Sequence, residues 1–290
     1  MIAASLRGAL VRLALLRGDE LTEFYAWNRE APDGVGDLYT GRVDAVAKAL
    51  AGCFVALGGE SSGFLPDSAG GKTLTEGQYV AVRVSRAAQG DKGPRLALAT
   101  MPPGDTPGLI ARGPGPLLEL AQRFPDEEIV LDDYALMAEL RPALEGRMRH
   151  DAKAFDPVLE DEVEALAEPT APLPHGALLH ITTAPAATLL DVDAAAASHM
   201  PPMALNGAII PEICRQIVLR NLSGGILLDF AGLKNAQRQT LLAPLRTALQ
   251  RDPLAPNLLG LSNLGFAEIN RRRIRPPLHE IFHAAKKIQP

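Results

Sequence analysis

The chain has 290 residues, 47% of them hydrophobic and 22% charged, with a formal net charge of −5. That length allows two domains, or one domain with an insertion, and a core that needs no covalent staples. Its two cysteines, Cys53 and Cys214, make no CxxC pair, which excludes a disulfide framework and a Cys-rich zinc ribbon. No apolar run reaches the roughly 18 residues of a membrane span, so no membrane partner is expected.

The acidity is concentrated in one segment. Residues 1–37 carry 4 basic and 6 acidic side chains, and residues 38–103 carry 7 and 5. Residues 104–170 carry 6 and 16, a balance of −10, whereas residues 171–290 carry 12 and 7, a balance of +5. Screening confines such fields to roughly 8–10 Å, so the basic flanks leave a polyanionic partner open.

In chain order, GALVRLALL, a turn at Arg17-Gly18-Asp19, and ELTEFYAW predict a hairpin. Arg7, Arg12 and Arg17, with no acid before Asp19, also fit an amphipathic transit peptide. The matching second strand favours the hairpin, and with it a cytoplasmic protein. From Leu38 to Leu98, the segments YTGRVDAV, GCFVALG, SGFLP, YVAVRVSRAA and RLALA predict a small closed barrel such as the OB-fold. Phe54 and Phe64 either fill that barrel or stack bases outside it, with Lys92 of a Gly-Asp-Lys-Gly turn tracking phosphates. A Pro/Gly stretch from Met101 reads as a connection. Residues 116–155 read as helical around one strand, EEIVLDD, and Glu160–Pro174 as an acidic, then Pro-rich joint.

From Ala177 strands and helices alternate: ALLHITT, ATLLDVD, a helix over Pro211–Arg220, GGILLDF, a helix over Asn235–Arg251, and NLLGLSN. This is α/β layering around a sheet. One strand ends in Asp191, with Asp193 two residues later, and another in Asp229. Alternation puts Asp191 and Asp193 on one side, and the separation from Asp191 to Asp229 (229 − 191 = 38 residues) admits a helical crossover to a neighbouring strand. Carboxylates converging at strand ends suit Mg²⁺, which takes one or two protein carboxylates and keeps waters; each Asp also suits a cap on the turn that follows.

His279-Glu280-Ile281-Phe282-His283 matches the H-E-x-x-H zinc-protease pattern. A catalytic zinc needs a third protein ligand, and none of the seven residues after His283 is His, Asp, Glu or Cys. A terminal helix facing solvent or a partner is expected instead. Around it, Arg271, Arg272, Arg273, Arg275, Lys286 and Lys287 can bind phosphates or simply solvate the surface.

Taken in order, these motifs resemble the ribonuclease E/G family. YTGRVDAVAKALAGCFVALGGESSGFLP is similar to its OB-type RNA-binding domain, and GDKGPRLAL to the loop closing that barrel. LLDVD is similar to its Asp-Val-Asn metal motif, RNLSGGILLDF to its second metal-ligand strand, and LGFAEINRRRIRPPL to the segment that follows. The resemblance implies a composite α/β (α+β) fold. A split RNase H-like region (1–37 and 104–155), with a reduced 5′-sensor remnant, would carry an inserted OB-fold β-barrel (38–103). A DNase I-like α/β domain (156–290) would follow.

The resemblance also implies a catalytic Mg²⁺ on Asp191 and Asp229, with Asp193 standing where the family has Asn. Phe54, Phe64 and Lys92 would grip single-stranded RNA, and Arg271 and Arg273 would lie near the scissile phosphate. GLIARG resembles the start of the family's 5′-phosphate sensor, so Arg112 matches the sensing arginine while Gly113 replaces Thr. The family's CxxC zinc link has no counterpart here, so no zinc-linked dimer is expected. The implied function is Mg²⁺-dependent endonucleolytic cleavage of single-stranded RNA. An RNA-binding or ribosome-associated protein with weak or lost catalysis is the alternative.

Overall fold

The computed structural model describes residues 1–90 and 92–288; Asp91 of the predicted turn and the side chains of Lys286 and Lys287 lie outside the described residues. The chain divides into two units. One comprises Met1–Ala26, Glu128–Arg273 and Pro277–Pro290, the other Trp27–Glu127 and Ile274–Pro276. The second unit holds the barrel strands together with residues 27–37 and 104–127.

Three strands open the chain: β1 (Ile2–Arg7), β2 (Leu10–Arg17) and β3 (Glu20–Asn28). The expected hairpin is β2–β3, and β1 pairs antiparallel with β2. Next come β4 (Leu38–Ala47), β5 (Gly52–Gly58), β6 (Ser61–Pro66), β7 (Tyr79–Arg86) and β8 (Arg95–Leu98), all five foreseen. Because β4 pairs with both β7 and β5, the order β5-β6-β8-β7-β4 closes on itself into a barrel. Cys53, Val55, Leu65, Val80, Val82 and Leu96 fill its interior. The Pro/Gly stretch also contains a short strand, β9 (Gly108–Ala111), on β4, followed by α1 (Gly115–Arg123).

The chain continues through β10 (Ile129–Leu131), α2 (Tyr134–Leu144), β11 (Met148–His150) and α3 (Pro157–Ala165). Strands β10 and β11 extend the first sheet in parallel, in the order β11-β10-β1-β2-β3. Helix α3 stands where an acidic joint was expected. Asp156 caps it by accepting from the Leu159 amide at 2.9 Å, and Leu159 and Val163 bury its apolar stripe.

The last part comprises β12 (Thr170–Pro172), β13 (Leu178–Thr183), β14 (Ala187–Asp193), α4 (Pro202–Leu219), β15 (Gly224–Asp229), α5 (Asn235–Leu249), β16 (Asn257–Leu261), β17 (Ala267–Arg271) and α6 (Leu278–Ile288). Its sheet runs β12-β13-β14-β15-β17-β16, with β14 and β15 parallel. Leu190, Val192, Ile226 and Leu228 point to one face, where Ile209, Ile213 and Ile217 of α4 and Leu241 and Leu245 of α5 cover them. Helix α4 starts at Pro202 rather than at Pro211, because burial of Leu205, Ile209, Ile210 and Ile213 outweighs the one hydrogen bond that an internal proline removes. Among the described residues, no helix is long and apolar enough to cross a membrane.

A buried polar cluster ties α3 to the first sheet. Arg12, packed 4.7 Å over the Phe155 ring, donates to both Glu160 oxygens at 2.6 and 2.7 Å and to the Ser5 hydroxyl at 2.9 Å. The hydrogen bonds from Arg12 hold the Glu160 carboxyl below its ordinary value of 4.5, against the opposing pull of burial. A depressed carboxylate stabilises the fold above that ordinary value, and its contribution is lost as pH falls through the folded value. Urea midpoints taken from pH 7 towards pH 3 should therefore fall more steeply for the wild type than for Glu160→Gln. Parallel curves would show that this pair does not set the acid limit.

Candidate functional site

In the second sheet, alternation along β14 buries Leu190 and Val192 and leaves Leu189, Asp191 and Asp193 exposed. Along β15 the same period buries Ile226 and Leu228 and turns Leu227 and Asp229 to the other side. Parallel pairing then sets Asp191 directly opposite Asp229. Neighbouring strands lie about 4.8 Å apart, so two carboxylates share one small area of the uncovered face. Both stand at the carboxyl ends of parallel strands, where ligands of α/β sheets bind.

His180 of β13 is in register with Asp191, on the same face and next in the row. Its Nδ1 lies 3.3 Å from the Thr170 hydroxyl and its Nε2 4.0 Å from Asp193. One Asp193 oxygen accepts from the Ala195 amide at 2.9 Å, the capping role that a strand-end Asp also suits. Arg238, in the first turns of α5, approaches Asp229 Oδ1 at 2.5 Å. The contact is an ion pair off the hydrogen-bonding angle, so Oδ1 is buried without a hydrogen bond. Sequence reasoning missed both His180 and Arg238. Strand alternation could have found the first, whereas no local pattern marks the second.

The donor set is two carboxylates on an open face, and no cluster of three or more His, Cys, Asp or Glu at metal-holding distance occurs among the described residues. Two carboxylates on one face are the donor chemistry that Mg²⁺ takes, since it uses one or two protein carboxylates and retains waters. His279 and His283 are exposed on α6, while Leu278, Ile281 and Phe282 pack into the core around Phe24.

On the barrel, Phe54 and Phe64 are opposite each other on β5 and β6 and point outward, since Cys53, Val55 and Leu65 take the interior. Their rings meet edge to face, 5.4 Å apart, and Phe54 is 39% exposed. The Arg95 guanidinium lies 6.0 Å from the Phe64 ring. Lys92 is exposed in a turn closed by hydrogen bonds with Gln89. Phe64 thus has a cation beside its π-face.

Three residues expected to contact RNA are engaged elsewhere or lie away from the acids. Arg271 is 2% exposed, points to the helix-covered face, and is held by Asp252 at 2.6 and 3.2 Å and by Asn221 at 2.8 Å. It pairs with Gly224, whereas Asp229 is five residues further along β15, about 16 Å away at 3.3 Å per residue. Arg273 lies against Gly224 at that same far end, so neither arginine stands near the acids. Arg112 is exposed but paired with the buried Asp37 at 2.7 Å, and the Gly113 amide donates to the same carboxylate at 2.7 Å. A Cβ at Gly113 would lie 2.5 Å from the Val35 carbonyl oxygen, so a Thr there would require the backbone to shift.

A model of the Ribonuclease E/G family matches residues 126–274, just over half of the chain. The chain belongs to the ribonuclease E/G family. It is 32% identical over 125 residues to Ribonuclease E of Synechocystis, covering 41% of this chain and 18% of that protein. It is 28% identical over 155 residues to Ribonuclease G of Salmonella typhimurium, covering 50% and 32%. With Ribonuclease G of Escherichia coli K12 the identity is 30% over 129 residues, covering 42% and 26%. The chain thus spans less than a third of the length of these relatives. The family match includes Asp191, Asp193 and Asp229 but not Phe54, Phe64, Lys92 or Arg112.

For Arg271 the geometry predicts a stability defect. Asp252→Ala leaves a buried guanidinium without its carboxylate and should cost about 3–5 kcal/mol in urea unfolding. A loss below about 1 kcal/mol would show that the pair is dispensable.

Proposed function

We propose that this chain is a divalent-metal-dependent endoribonuclease that cuts single-stranded RNA. The observation that carries the reading is the register of Asp191 with Asp229 on one uncovered sheet face. Membership of the ribonuclease E/G family supports it, as does the outward aromatic pair of the barrel. In this reading the barrel is an OB-fold, the first sheet is RNase H-like, and the sheet carrying the acids is DNase I-like.

Asp191 and Asp229 would hold Mg²⁺, with Asp193 and His180 beside them. The bound ion would polarise a phosphoryl oxygen and lower the pKa of water for in-line attack. Water oxygen bonds to phosphorus, the bond to the 3′ oxygen breaks, and the leaving oxygen takes up a proton. The products carry a 5′-phosphate and a 3′-hydroxyl. Phe54 and Phe64 stack bases while Lys92 and Arg95 accompany the backbone. Arg112 and the Gly113 amide both donate to Asp37, and this internal engagement supports cleavage independent of the RNA 5′ end. We place this activity in the cytoplasm.

A second reading, RNA binding with lost catalysis, draws on Asp193, whose extra negative charge sits beside the acid pair. An A/U-rich fluorescent oligonucleotide separates the two. Asp229→Asn and Asp191→Asn should each slow Mg²⁺-dependent cleavage by more than about 100-fold, beyond the usual cost of an outer-shell change, with RNA binding in EDTA preserved. Full cleavage by Asp229→Asn would refute the assignment, and binding without any wild-type product would favour the second reading. Phe54→Ala should weaken RNA binding by about 1–3 kcal/mol, measured by fluorescence anisotropy. Unchanged affinity would remove the aromatic pair from the RNA surface.

A further inference from the structure

We propose that Arg238 is the positioning residue of the acid pair, a fixed guanidinium that holds one Asp229 oxygen and presents the other to a divalent cation. The inference rests on the reading of Asp191 and Asp229 as a metal site.

Arg238 cannot swing. Its Nε donates to the Leu233 carbonyl at 2.9 Å, Nη1 to the Gly265 carbonyl at 2.9 Å and Nη2 to the Phe230 carbonyl at 3.0 Å. Phe230 and Leu233 belong to the loop that leaves β15, and Gly265 to the turn between β16 and β17. One planar fork therefore fastens both loops at the end of the sheet where the acids stand, and the side chain is only 13% exposed. The remaining reach of Nη1 goes to Asp229 Oδ1.

The surrounding sequence preserves this approach. Gly265 has φ +92°, and a Cβ there would collide with Asn235 Oδ1 and come within 3.2 Å of Arg238 Nη1. The turn is tightened further by the Gly265 amide on the Ser262 carbonyl at 2.9 Å and by the Phe266 amide on the Ser262 hydroxyl at 3.1 Å. The two acids consequently differ. Asp191 is exposed, whereas Asp229 is half-buried with Oδ1 already committed. A carboxylate held by one oxygen keeps a single oxygen and a fixed orientation for a ligand, and Mg²⁺ is demanding about ligand geometry. Lysine could supply the charge but not the three carbonyl anchors.

The test uses the purified full chain and Mg²⁺. Isothermal titration measures ion affinity without substrate, and Mg²⁺-dependent cleavage of the oligonucleotide gives kcat and KM. Arg238→Gln should weaken Mg²⁺ binding by about 10–100-fold, the usual cost of removing a ligand's supporting group, while KM for RNA changes by less than about 3-fold. Arg238→Lys should recover part of the affinity, and if the glutamine variant fails to fold, the lysine variant decides. Wild-type Mg²⁺ affinity in a folded variant would overturn the positioning role alone. Wild-type protein that binds no divalent ion and still cleaves in EDTA would overturn the metal reading and the positioning role together.

Discussion

Parallel pairing of β14 with β15 is the constraint on which the candidate site depends. It fixes register residue by residue, so Asp191 meets Asp229 while Leu190, Val192, Ile226 and Leu228 fall on the opposite face. A slip of one residue would exchange the two faces of β14, burying the aspartates under α4 and α5. Burial of Leu190, Val192, Ile226 and Leu228 beneath those helices therefore holds the carboxylates outward. The apolar core and the candidate chemistry are two sides of one alternation.

Charge is then distributed by anchoring rather than by number. Three arginines in this half of the chain serve as structural forks. Arg220 donates to the Ala165, Leu166 and Glu168 carbonyls at the end of α3, and burial pushes its guanidinium down to about 10. Arg271 holds Asp252, and Arg238 joins two loops to Asp229. Planar guanidinium with five donors suits such sites, and its cost of burial is met by several carbonyls or one bidentate carboxylate.

What the sequence reveals follows from the range of each interaction. The five barrel strands and the acids at the ends of β14 and β15 are legible because period-2 alternation and strand ends are local signals. The outward direction of Phe54 follows from the same period, given Cys53 and Val55 inside. Strands β9, β11 and β12 have four, three and three residues, too few to show a period. The burial of Arg271 is not legible in its basic run, because the partner that holds it, Asp252, lies 19 residues away. Arg238 carries no motif at all, because its role is defined by carbonyls on two separate loops.

The segment charges change meaning in the same way. The balance of +5 over residues 171–290 includes Arg215, Arg220, Arg238, Arg271 and Arg275, each engaged with carboxylates or carbonyls of the chain. Among the sixteen acids over residues 104–170, Asp132 and Glu160 are likewise engaged with Arg7, Glu128 and Asp151 with Arg149, and Glu119 with Arg275. A cation already paired releases few counterions when a phosphate arrives, so it adds little to affinity for nucleic acid. In the proposed reading that work would fall to the exposed Lys92 and to Arg95 beside Phe64, rather than to the larger formal excess of the other segment. Segment charge therefore keeps a polyanionic partner in consideration, but the side chains that would hold it are those left over after the internal pairs are made.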